Sequence, residues 1–104
     1  MNWGLTDAAV AEIRSVLAHH PEVERATLYG SRAKGTFKPG SDIDLTLIGS
    51  EITLEILGHV QSELEGGSLP YQIDLSILSQ ITHPELLDHI HRVGVAFYER
   101  ANGL

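Results

Sequence analysis

The chain contains no cysteine, which excludes disulfides, a thiolate nucleophile and a cysteine-ligated zinc, and fits the reducing cytoplasm where the protein is expected to work. Basic residues are scarce as well: seven Lys and Arg stand against fourteen Asp and Glu, for a net charge of -7. Broad binding of extended nucleic acid draws its affinity from Lys and Arg on phosphates, so that class is set aside. Long apolar runs are missing, with no stretch near the roughly 20 residues of a membrane span. Trp3, Thr6 and Asp7 also interrupt any apolar signal segment at the start. Linkers, internal repeats and low-complexity segments are absent from the pattern. What remains, at 104 residues with 42% hydrophobic and 20% charged, is the composition of one soluble domain, 1–104. It is large enough for a single core and too short for two domains with a cleft between them.

Hydrophobic spacing divides this domain into alternating elements. Ala9, Val10, Ile13, Val16 and Leu17 recur at helical intervals behind Thr6, a suitable N-cap, and predict a helix over 6–19 that stops near Pro21. A strand is expected over 23–29, carrying Val23, Ala26 and Leu28 and reaching Gly30 and Ser31 at its end. The Gly-, Ser-, Lys- and Pro-rich segment to Ser41 reads as a loop with one helical turn after Ser31. "DIDLTLI", 42–48, is a strand with Ile43, Leu45 and Leu47 on one side and Asp42, Asp44 and Thr46 on the other. A second helix is expected over 52–65, closed by Gly66 and Gly67. "YQIDLSIL", 71–78, repeats the alternation with Asp74 among its outward positions, and Pro84 opens a last helix to about Val93. "VAFYE" after Gly94 suits either an edge strand or a further helical turn. The order of helices and strands implies a layered sheet with helices packed on it, an α/β (α+β) class.

Asp42 and Asp44 are the anomaly. An aspartate inside a strand opposes β-propensity, and two at i and i+2 share a face and repel. From these two alone, a solvated strand end and a metal site fit equally well. Asp74 shifts the balance: if its strand neighbours the first, three carboxylates come together, and such a set of hard oxygen donors suits Mg²⁺ or Mn²⁺ rather than zinc. Paired divalent cations are an established device for phosphoryl-type transfer. The positive charge points the same way, since four of the seven basic residues fall between Arg25 and Lys38 and favour an anionic ligand there. Gly30 permits close backbone approach and Ser31 offers a hydroxyl and an N–H. The segment is not a kinase-type P-loop: Gly30 and Gly35 are correctly separated, but Thr36 and Phe37 stand where Lys and Ser/Thr are needed.

"YGSRAKG" followed by "SDIDL", with ten residues between the Gly30–Ser31 pair and the Asp42/Asp44 pair and a lone Asp74 on a later strand, resembles the nucleotidyltransferases of the DNA polymerase β superfamily. Over about residues 8–98 the chain is most similar to their minimal members in bacteria and archaea. The resemblance implies a small mixed β-sheet flanked by helices, like a polymerase β palm. It also implies two Mg²⁺ ions (or Mn²⁺) held by Asp42, Asp44 and Asp74, with Asp74 helping to deprotonate the attacking hydroxyl. The Gly30–Ser31 turn would hold a nucleoside triphosphate, ATP first among them, with Arg32 or Lys34 neutralising phosphate charge. Minimal members commonly act as antitoxins that adenylylate a tyrosine of a HEPN-type toxin, so such a partner, or self-association, is expected. The rival reading is a non-catalytic or weakly catalytic module that neutralises its partner by direct contact. Transfer to a small molecule is less favoured because no second recognition domain is visible.

Other conspicuous residues read more plainly. His19 and His20 close a helix, His89 and His91 are two apart on a helix and so do not share a face, and His59 and His83 are isolated. None is expected to act in the site. Trp3, Tyr71 and Phe97 are packing residues, and Tyr29 is the one aromatic placed to lie near a nucleotide.

Overall fold

The computed structural model describes residues 2–101. Helix α1 spans Asp7–Ala18, and the Thr6 hydroxyl accepts from Ala9 N–H at 3.0 Å, satisfying an amide that the helix start leaves free. Strand β1 (Arg25–Tyr29) runs directly into the five-residue α2 (Gly30–Lys34), which ends at Gly35 in the left-handed region. The expected single turn is therefore a short helix that already begins at Gly30. Strand β2 is Ile43–Ile48, so Asp42 lies just outside it. Helix α3 covers Leu54–Glu65 and begins two residues later than its apolar pattern suggests. Thr53 is the cause: its side chain accepts from Ile56 N–H and caps the helix there.

Strand β3 (Ile73–Ile77) is shorter than expected and leads into a single 3-10 turn, Leu78–Gln80. Helix α4 (Pro84–Val93) has proline in its first turn, where a missing N–H costs nothing, and the His83 ring accepts from Leu86 N–H at 3.3 Å. The final segment, open to two readings in sequence, is strand β4 (Val95–Glu99). No helix among the described residues is long and apolar enough to cross a membrane.

The four strands form one mixed sheet in the order β3-β2-β1-β4. The β1–β2 and β1–β4 pairs are antiparallel, and β2–β3 is parallel, with α3 as the crossover that parallel neighbours require. Side-chain alternation gives the sheet two unlike faces. On one, Leu28, Ile43, Leu45 and Leu47 are completely buried with Ile13 and Leu17 of α1 and Val60 of α3. This is the main core, and truncating one such leucine to alanine is expected to cost about 2–5 kcal/mol.

The opposite face carries Thr27, Tyr29, Asp44, Thr46, Asp74 and Ser76, placed side by side by the strand register. It is closed in part by α4, which packs on β1 and α2. Thr46 is fully buried on this face, and its hydroxyl accepts from Ser76 at 2.8 Å, which removes the penalty of an unpaired polar group.

Candidate active site

Two local features of the chain build the site. The first is the passage from β1 to α2. Gly30 has φ +77°, which lets the backbone turn from strand to helix without a linker, and a Cβ placed there would overlap a carboxylate oxygen of Asp44. Glycine is thus needed twice, for the left-handed angle and for the close approach to the neighbouring strand. The Gly30 N–H donates to His89 Nε2 of α4 at 3.1 Å, and the His89 ring meets Tyr29 edge-on with 6.1 Å between ring centres.

The second feature is the parallel pairing of β2 with β3, in which Asp44 and Asp74 are directly opposed. Asp44 is half-buried, whereas Asp42 and Asp74 are exposed. The Asp44 carboxyl is pushed above the usual carboxylate range, first by burial and then by the negative charges of Asp74 and Asp42. Tyr29, buried beside them, is also held above the ordinary tyrosine value. Burial is its main cause and the charges of Asp44 and Asp74 add to it, against a hydrogen bond with Ser76.

Asp44 and Asp74 therefore lie together as expected, with Asp42 close enough for its charge to be felt. The expectation of three carboxylates meeting at a common point holds only for the pairing of Asp44 with Asp74: Asp42 has no partner in the register, and the side chains do not converge. Among the described residues no three acidic or imidazole groups gather tightly enough to hold an ion. Asp42 lies just before the strand, and both it and Asp74 are exposed. The donor set still fits Mg²⁺ or Mn²⁺ in its chemistry, since it is all carboxylate oxygen. The site is open to solvent. The groove of about 400 Å³ beside β3 is lined by Gln61, Leu64, Leu69, Tyr71 and Ile73 rather than by the aspartates.

Of the phosphate-contact candidates, Gly30 and Ser31 stand at the start of α2 beside Asp44, and Lys34 is exposed at its end. Arg32 is placed otherwise. It is 1% exposed, and its guanidinium donates to the Ser41 carbonyl at 2.9 and 3.1 Å and to the Trp3 carbonyl at 3.0 Å. Phe37 and Tyr71 cover it, with its guanidinium carbon 5.2 and 4.9 Å from their ring centres. Arg32 ties the 35–41 loop to the N-terminal turn and holds the residue immediately before Asp42. The sequence pattern puts Arg32 in a solvated segment, and the carbonyl partners that draw it inward are not legible locally. His89 escaped the sequence reading for the same reason: α4 brings it to Gly30 across 59 residues of chain.

A small mixed sheet with helices on it, a glycine turn against a strand aspartate, and a second aspartate in parallel register define the nucleotidyltransferase class of fold and site. The sequence model of the family described as polymerase beta, nucleotidyltransferase, matches residues 11–102, and the chain belongs to this family. Solved structures agree on the fold. A crystal structure of a toxin–antitoxin with AMP-PNP contains a chain 21% identical, with a TM-score of 0.71, covering 86% of this chain and 73% of that one. The complex of tri-AMPylated Shewanella oneidensis HEPN toxin with MNT antitoxin gives 16% identity and a TM-score of 0.68, over 91% and 73% of the two chains. A further toxin–antitoxin structure, MntA–HepT, gives 17% identity and a TM-score of 0.59, over 90% and 73%. No curated protein matches the chain significantly.

Proposed function

We propose that the protein transfers a nucleoside monophosphate, AMP from ATP, to a hydroxyl of a HEPN-type partner, a tyrosine in the first instance, and so acts as an antitoxin. The observation that carries this reading is the register of Asp44 against Asp74 beside Gly30, within a chain of this family. In the reaction the acceptor oxygen bonds to the α-phosphorus, the bond from that phosphorus to the β-phosphate bridging oxygen breaks, and pyrophosphate leaves.

Asp42, Asp44 and Asp74 would hold magnesium, which when bound offsets the charge of the triphosphate and of the leaving pyrophosphate. Asp74 takes the proton of the incoming hydroxyl; its exposure on the edge strand supports this role. Ser31 contacts the β- or γ-phosphate and Lys34 lends positive charge from the end of α2. Gly30 keeps the phosphate-facing backbone close to Asp44. The acceptor side of the site is open, which suits a protein acceptor that supplies the missing wall, and a structural neighbour is described as a complex with an AMPylated HEPN toxin.

Purified protein incubated with Mg²⁺, a co-purified partner and each of the four labelled nucleoside triphosphates tests the reading by mass spectrometry. The expected result is a partner heavier by whole nucleotides with ATP, and no adduct with the Asp42→Asn variant. Neutralisation of the partner that survives both Asp42→Asn and Asp44→Asn, with no adduct from any nucleotide, would establish simple binding instead.

A further inference from the structure

Outside the aspartates, one side chain is built into the site from the far end of the chain. His89 lies in the middle of α4, half-buried, and its Nε2 accepts the Gly30 N–H at 3.1 Å. An accepting Nε2 carries no proton, so the ring proton resides on Nδ1. The ring also stands edge-on to Tyr29, the residue before Gly30. Two consecutive residues at the β1–α2 junction are thus fixed by one imidazole.

That junction is tightly packed against the neighbouring strand. Gly30 sits in the left-handed region, already against the Asp44 carboxylate, and is followed at once by Ser31. Its N–H is the first amide of α2 and has no partner within so short a helix. We propose that His89 is a positioning residue for nucleotide binding: by holding the Gly30 amide it sets the Gly30–Ser31 turn at the height of Asp44, and it makes α4 part of the site. The inference rests on the nucleotidyl-transfer reading for its functional consequence, though the hydrogen bond itself does not.

The prediction concerns affinity more than chemistry, because His89 reaches the turn and not the reacting atoms. A partly buried hydrogen bond with a neutral acceptor is worth about 1 kcal/mol net, equivalent to about fivefold in an equilibrium. The His89→Phe variant keeps a ring against Tyr29 and removes the acceptor. The His89→Gln variant keeps an acceptor of similar reach.

Three measurements separate the outcomes: the hydrogen-exchange rate of the Gly30 amide by NMR, ATP affinity by calorimetry with Mg²⁺ present, and the KM and kcat of transfer. In His89→Phe, exchange at Gly30 is expected to quicken about fivefold or more and KM for ATP to rise by a similar factor, with kcat within about twofold of the parent. His89→Gln restores both, at unchanged melting temperature. Unchanged exchange in His89→Phe overturns the hydrogen-bond assignment. Faster exchange with unchanged ATP affinity overturns the positioning role, as does a His89→Gln variant that fails to recover. Absence of ATP binding by the parent protein itself refutes the transfer reading instead, while the exchange result still decides the hydrogen bond.

Discussion

Replacement of Gly30 by alanine probes the site at its tightest point. At φ +77° an alanine carries a left-handed penalty of about 1–2 kcal/mol, offset by about 0.4–1 kcal/mol from a less flexible unfolded chain. The new methyl would also overlap the Asp44 carboxylate, which must withdraw by about 1 Å to regain an ordinary contact distance. Backbone strain and overlap together outweigh the entropic gain, for a net loss of about 2 kcal/mol. In a domain of this size each kcal/mol moves the melting temperature by about 4–8 °C, so a fall of about 10 °C is expected. The effect on transfer is larger, since misplacing a reacting-site group by about 1 Å can cost on the order of 100-fold.

Gly35 provides the control. Its φ is +83°, yet a Cβ there meets nothing within 4 Å. Gly35→Ala therefore carries the same backbone penalty without the overlap, and is expected to lose about 1 kcal/mol or less while transferring nucleotide at the parental rate. Thermal unfolding and timed incorporation of labelled adenylate, run on both variants, give the comparison. Should Gly30→Ala transfer within about threefold of the parent, or Gly35→Ala lose activity as severely, the close approach of Gly30 to Asp44 is not what the site depends on.

Folding raises the Asp44 carboxyl, so between its unfolded and folded values the native state binds more protons than the unfolded chain. Stability in EDTA is accordingly expected to fall as pH rises through that interval and to level off above it. Asp44→Asn should abolish transfer yet unfold at a higher temperature than the parent in EDTA at neutral pH, and a lower one in calorimetry would contradict the crowding of charge. Arg32→Ala is expected to cost about 3 kcal/mol in denaturant unfolding, because the Ser41 and Trp3 carbonyls lose their donor inside the fold. Lys34→Ala should leave stability within about 0.5 kcal/mol and weaken ATP binding by about fivefold, as befits an exposed charge. Equal loss of stability in the two variants would show that Arg32 is not the anchor its contacts indicate.

Local pattern was enough for most elements. Thr6 and Pro84 start helices because their side chains or rings suit a helix end whatever lies around them, and the alternation of Ile43, Leu45 and Leu47 with Asp44 and Thr46 marks a two-faced strand on sight. Boundaries moved where a neighbouring polar group decided them, as Thr53 did for α3. Gly30, Ser31, Asp42 and Asp44 form one short run and were legible together. Asp74 could be suspected from its strand, but its place opposite Asp44 comes from parallel pairing, which depends on how α3 crosses the sheet.

Sequence by itself therefore determined which residues carry charge, where the chain turns, and which face of each strand is apolar, since these follow from neighbours within a few positions. Only the tertiary structure decided that Asp74 stands beside Asp44, that Arg32 is spent on backbone carbonyls, and that His89 holds the Gly30 amide. Each of those contacts joins residues that periodicity does not relate, and packing alone selects them.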